Sequence, residues 1–105
     1  DAATFYQGYL QRRPADAEAH NGLGAVRLGQ GRAAEAREEF DKAVRIAPLF
    51  AEARLNLGIA LMKCGDAPAG EIQVRKALEI KPELTEALRG LGPRGAGAPP
   101  GGSAR

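Results

Sequence analysis

The chain predicts an all-α fold, a solenoid of stacked helical hairpins, and three observations carry that prediction. Its 105 residues include 21 alanines, while the strand formers Val, Ile, Thr, Phe and Tyr are thinly spread, a composition that favours helices over sheet. Pro14, Pro48 and Pro82 stand 34 residues apart twice, a period that belongs to repeated helical hairpins. Between those prolines, apolar residues recur at i, i+3, i+4 and i+7, the stripe of a half-buried helix.

Other positions keep the same step. Gly24, Gly58 and Gly92 recur at 34, as do Leu23, Leu57 and Leu91; Gly31 pairs with Gly65, Ala43 with Ala77, Val44 with Leu78 and Ile46 with Ile80. In chain order, residues 1–14 match only the second helix of a partial repeat. Residues 17–50 and 51–84 are full repeats, and 85–92 match only the first helix of another. The expected array is therefore half, full, full, half, with six helices.

Helices are expected over Ala17 to Gly29, Ala33 to Ile46, Phe50 to Cys64, Ala67 to Ile80 and Leu84 to Leu91, the last stopped by Pro93. Gly31 and Gly65 follow the first helices, where a positive φ is cheapest for glycine, and each repeat proline sits just past a second helix that it cannot continue. A glycine inside a helix costs about 1 kcal/mol relative to alanine. Gly24, Gly58 and Gly70 are therefore expected where backbones approach closely. Residues 93–105 hold three Pro and four Gly with little apolar bulk, the composition of a disordered tail. An array this short sits near the minimum of stacked units that hold together. Opening on Asp1 in mid-repeat suggests a fragment or a processed chain.

Counted from Ala17 and Ala51, each full repeat has Leu-Gly at seventh and eighth, a small residue at twentieth, a bulky one at twenty-fourth, Ala at twenty-seventh and Pro at thirty-second. The residues are Leu23-Gly24, Ala36, Phe40, Ala43 and Pro48, then Leu57-Gly58, Gly70, Val74, Ala77 and Pro82. This pattern resembles the tetratricopeptide repeat over residues 1–92. It departs from the family at His20 and Arg54, where Trp is commonest, and at Arg27 and Leu61, where Tyr is favoured. The resemblance implies a right-handed solenoid whose first helices line the concave side, and a scaffold that binds protein rather than an enzyme.

Composition narrows the function further. Residues 1–92 carry 13 basic and 13 acidic side chains, so no nucleic-acid footprint is present. No run of about 18 apolar residues occurs and no charged-then-apolar leader opens the chain, so neither a membrane span nor a secretory signal is expected. The single Cys64 cannot close an internal disulfide, which fits a reducing, cytoplasmic setting.

No catalytic, cofactor or metal motif stands out. The lone serine, Ser103, lies in the tail, and Cys64 and His20 are 44 residues apart in different repeats. Cys64 reads as a small buried filler at a helix end, and His20 as a partly exposed helix residue with no second ligand nearby. Gly90 to Gly95 satisfies G-x-G-x-x-G, but a helix precedes it where dinucleotide binding needs a strand. Glu35, Glu38 and Glu39 stand near Arg32, Lys42 and Arg45 as a solvated helix face.

If the first helices line the concave side, positions two, five, nine and twelve share its face. These are Glu18, Asn21, Ala25 and Leu28, then Glu52, Leu55, Ile59 and Met62, then Glu86 and Arg89, with Asn56 alongside. Leu28, Leu55, Ile59 and Met62 make an apolar strip that packing within a repeat does not require, suited to a peptide or helix of a partner protein. The tail or an absent domain could fill the same groove.

Family members that clamp a C-terminal carboxylate carry Lys or Arg where this chain has Asn21, Glu86 and Gly90, and Asn where it has Ala25 and Asn56. Only Asn56 fits, and Glu86 would repel the carboxylate. Members fused to O-linked N-acetylglucosamine transferases carry an Asn ladder at sixth, of which Asn56 is one rung, with Gly22 and Gly90 at the others. The alternative function is thus a regulatory or substrate-presenting region of a larger enzyme, such as a glycosyltransferase or sulfotransferase. Phe5, Tyr6 and Tyr9 crowd three of the five aromatics into five residues. They either pack on the next repeat or form a cap or self-association surface.

Overall fold

The structure, a computed structural model, describes residues 1–91. Among them six α-helices follow one another: α1 (Ala2–Arg12), α2 (Ala17–Gly29), α3 (Ala33–Ile46), α4 (Ala51–Lys63), α5 (Ala67–Ile80) and α6 (Leu84–Leu91). Helix α4 is one residue shorter at each end than the periodicity suggests, which is fraying rather than a different element. The tail and the Gly90 to Gly95 match run beyond the described residues. Each helix packs on its successor, and α2 also touches α4. The first helices of the repeats therefore share one layer and the second helices the other, in a body of 53 × 27 × 23 Å.

The ends of the helices follow from local chemistry. Asp1, Asp16 and Asp66 cap α1, α2 and α5, each accepting from the backbone N–H three residues on, at 2.9, 3.0 and 3.2 Å. Gly31 and Gly65 take φ of 80° and 95°. Around Gly31, the N–H of Gly31 donates to Leu28 and that of Arg32 to Arg27; around Gly65, Gly65 donates to Met62 and Asp66 to Leu61. This pair of bonds closes a helix only if the residue between adopts the left-handed region, which a side chain resists. Before each proline, Arg13, Ala47 and Lys81 share an extended backbone near φ −136°, −131° and −140°, because the proline ring disfavours the helical region for its predecessor.

Packing is set by small residues facing large ones. Phe40 is fully buried, and a Cβ placed on Gly24 would stand 2.6 Å from its ring. Ala36, Ala43, Val44, Ala53, Leu57 and Ala60 complete that cluster, joining α3 to α4. The approach of α4 to α5 is closer still: a Cβ on Gly58 would lie 2.7 Å from the Gly70 carbonyl oxygen, and one on Gly70 would lie 2.6 Å from that of Gly58. Two backbones are therefore in contact at Gly58 and Gly70, as their placement predicts, whereas at Gly24 the close neighbour is the Phe40 side chain and not a backbone.

Two side chains depart from expectation. Cys64 is exposed rather than a buried filler, because it is the C-cap residue of α4 at a hairpin turn whose flanking residues Lys63, Gly65 and Asp66 are exposed too. His20 is buried rather than partly exposed, at 8%. Its Nε2–H donates to the Pro14 carbonyl at 2.8 Å, since that oxygen can only accept, and its Nδ1 stands 2.8 Å from Glu39 Oε1. One repeat later Arg54 makes the same two links, donating from Nε to the Pro48 carbonyl at 2.8 Å and from Nη1 to Gln73 Oε1 at 3.0 Å. Position four is thus a polar latch that ties the preceding proline loop to the second helix of its own repeat. Glu39 thereby becomes half-buried while its Oε2 still meets Lys42 Nζ at 3.8 Å on the helix face, where Arg45 and Asp41 pair at 2.9 Å.

Two substitutions at glycine should differ in sign. Gly58→Ala forces the α4 and α5 backbones apart and should cost about 1–3 kcal/mol. Gly8→Ala, where nothing stands within 4 Å, should stabilise by about 0.5–1 kcal/mol; urea unfolding measures both. At the latch, His20→Ala removes a partner from Glu39 Oε1 and from the Pro14 carbonyl and should cost about 1–3 kcal/mol. His20→Arg should recover at least half of that loss, because Arg54 spans the equivalent partners.

Candidate interaction surface

The first helices bring several of the expected groove residues together. Asn56 donates from Nδ2 to Asn21 Oδ1 at 3.0 Å, so successive repeats are joined by a side-chain amide pair across α2 and α4. Among the described residues no further bond engages the Asn21 NH2 or the Asn56 carbonyl oxygen, one donor group and one acceptor of the kind that a peptide backbone needs. Asn21 and Asn56 are half-buried, Ala25 is exposed, and Met62 is exposed at 40%.

The apolar strip is smaller than the spacing suggests, and Leu55 is its main correction. Leu55 is 5% exposed and belongs to the core between α4, α5 and α6, with Ala51, Ala77 and Leu84. Position five of the second repeat points at the next first helix, so stacking of the repeats consumes it. Ile59 is half-buried against the same cluster, and Leu28 is half-buried against the one around Phe40. What remains is the 40% exposed part of Met62, whose Cγ packs on Gly70, with the outer edge of Ile59. Glu86 is exposed, whereas the Arg89 side chain lies outside the described residues.

Charge on this face is uneven. Lys81 Nζ donates to Glu52 Oε2 at 2.6 Å. That bond holds the Glu52 carboxyl below its ordinary range and the Lys81 ammonium above its own. Both side chains are more than 40% exposed, so solvent and salt screen the pair. Glu18 occupies the same register one repeat earlier, but the residue corresponding to Lys81 is Ala47.

The aromatic triplet lies against the start of α2. The Tyr6 ring sits over Gly22, where a Cβ would collide with it. The Tyr9 hydroxyl donates to Asp16 Oδ2 at 2.9 Å, and Phe5 is 65% exposed. Asp16 is held below the ordinary carboxylate range, first by the Ala19 N–H and then by the Tyr9 hydroxyl.

Sequence reasoning did not find the latch partners Pro14, Glu39, Arg54 and Gln73, nor the Glu52–Lys81 bond. The signal for the latches was present, since Pro14, His20 and Glu39 each have a counterpart 34 residues later in Pro48, Arg54 and Gln73. No group of three or more His, Cys, Asp or Glu among the described residues is placed to hold a metal ion. No described helix is long and apolar enough to cross a membrane.

The comparisons with known proteins agree with this architecture. The crystal structure of MamA, a tetratricopeptide-repeat protein, superposes with a TM-score of 0.71 at 25% identity, over 80% of this chain and 49% of that one. The chain thus spans about half the length of that relative. No curated protein matches it by sequence. Two family models, each described as tetratricopeptide repeat, match residues 1–49 and 27–92. The chain belongs to the tetratricopeptide repeat family.

Proposed function

We propose that this chain is a non-catalytic scaffold that holds a peptide or helical segment of a partner protein on the face of its first helices. Tetratricopeptide repeats are generally non-catalytic interaction modules, and protein partners are what such repeats take. The observation that carries the finer reading is the Asn21–Asn56 amide pair. It spans two repeats on a face that also offers Met62 and the edge of Ile59, so one surface combines backbone recognition with apolar burial.

The division of labour is physical. A peptide backbone laid across α2 and α4 would receive a hydrogen bond from the Asn21 NH2 and donate one to the Asn56 carbonyl oxygen. Its side chains would bury apolar area on Met62, whose unbranched thioether adapts to different shapes. Glu52 is already committed to Lys81, so it adds little attraction. Peptides that bind are thus expected to be apolar opposite Met62.

The test is a displayed peptide library selected on the 105-residue chain, followed by affinity measurements on variants. Met62→Glu should weaken the selected peptides about tenfold or more, with helical circular dichroism and the urea midpoint followed alongside because the Met62 Cγ also packs on Gly70. Asn21→Ala with Asn56→Ala should act in the same direction. Peptides that bind both variants normally would place the site elsewhere, and a library that yields no binders would count against the scaffold itself.

A further inference from the structure

The junction between α1 and α2 differs chemically from the other two junctions of the array. Where those have Ala43 and Ala77, both fully buried, it has Tyr9. Where they have Phe50 and Leu84, it has Asp16. Glu52 is paired with Lys81, whereas for Glu18 the residue corresponding to Lys81 is Ala47. Two replacements at the junction, with Glu18 beside them, turn an apolar seam into an aromatic and anionic cleft of about 200 Å³, lined by Phe5, Tyr6, Tyr9, Asp16, Glu18 and Ala19.

The rings are arranged as walls. Phe5 meets Tyr6 edge-on at 5.5 Å between centroids and lies 6.4 Å from Tyr9 at a tilt of 31°. The Tyr9 hydroxyl is turned to Asp16, which leaves its ring face for other contacts. A cation already uses that ring from outside the cleft: the Arg13 guanidinium lies 5.8 Å from the Tyr9 centroid, within the range of a cation–π contact. Asp16 and Glu18 add carboxylate oxygens beside the rings, and among the described residues no cation pairs with Glu18. Aromatic faces bordered by carboxylates complement a compact or planar cation on an apolar stem.

We infer that this cleft receives a lysine or arginine side chain of the partner protein, its stem against Phe5 and Tyr6 and its charge between the Tyr9 ring and the Asp16 and Glu18 carboxylates. The inference rests on the scaffold reading for the nature of the partner, and Glu18 joins the two surfaces because it lies at the start of the first-helix face. The cleft itself can be tested without any partner.

The experiment titrates the 105-residue chain with N-acetyl-lysine methylamide and N-acetyl-arginine methylamide, following ring-proton NMR signals. N-acetyl-norleucine methylamide, which keeps the stem and lacks the charge, is the control. The expected result is a saturable shift of the Phe5, Tyr6 and Tyr9 signals by at least one of the cationic amides at about 1–10 mM, with Phe40 and Phe50 unmoved and the norleucine amide inert. Glu18→Gln and Phe5→Ala should each weaken the response about two- to fivefold, and raised salt should weaken it further.

Equal shifts by the neutral amide, no shift at all, or insensitivity to both variants would overturn the inference. Ring signals that move with protein concentration alone would also overturn it, by showing that a second copy occupies the cleft. The peptide selection on Met62 and the amide pair reads a different set of residues, so either reading can fail while the other stands.

Discussion

The contact on which the structure depends is the meeting of two backbones at Gly58 and Gly70. A Cβ on either glycine would come within 2.7 Å of the other's carbonyl oxygen, so α4 and α5 can close only where both side chains are absent. Closure at that distance brings Val74 against Gly58 and Met62 against Gly70. It also sets the height at which Leu55 and Ala77 meet Leu84 of α6. The same logic operates with a larger partner in the first full repeat, where Gly24 leaves room for the Phe40 ring. Small residues thus decide the spacing of each hairpin, and the apolar clusters between hairpins follow from it.

Stacking has a consequence for the interaction face. Every apolar residue buried between one repeat and the next is withdrawn from a partner. Leu55 goes into the seam with α6, while Asn21 and Asn56 join α2 to α4 and still keep hydrogen-bonding capacity. A polar bridge between repeats can serve structure and recognition together, because an amide carries two donors and an acceptor with two lone pairs. An apolar bridge cannot, since burial exhausts it. The face is for this reason mixed in character, with Met62 as its main apolar contact.

The fold was legible because its determinants repeat. The helices between Ala17 and Leu91, the turns at Gly31 and Gly65 and the small residues Gly24 and Gly58 follow from a 34-residue register. The site was less legible, for reasons that particular residues show. Leu55 has the spacing of a groove residue, but spacing within one helix says nothing about the neighbouring repeat that covers it. His20 looked like a single polar residue on a helix, and its partners are a carbonyl six residues back and a carboxylate nineteen residues on. The residue type of Cys64 favours burial, whereas its position as the C-cap of α4 turns it outward. Reading Arg54 and Gln73 as counterparts of His20 and Glu39 would have exposed the latch.

The most direct test of the central claim is amide hydrogen exchange of the native chain, residue by residue. If the Gly58–Gly70 contact holds the hairpin together, the interior amides of α4 and α5 should open as one cooperative unit with the highest protection in the molecule. Protection in α5 that is lost while α4 stays closed would contradict the account, because two helices whose backbones touch cannot open separately without breaking that contact.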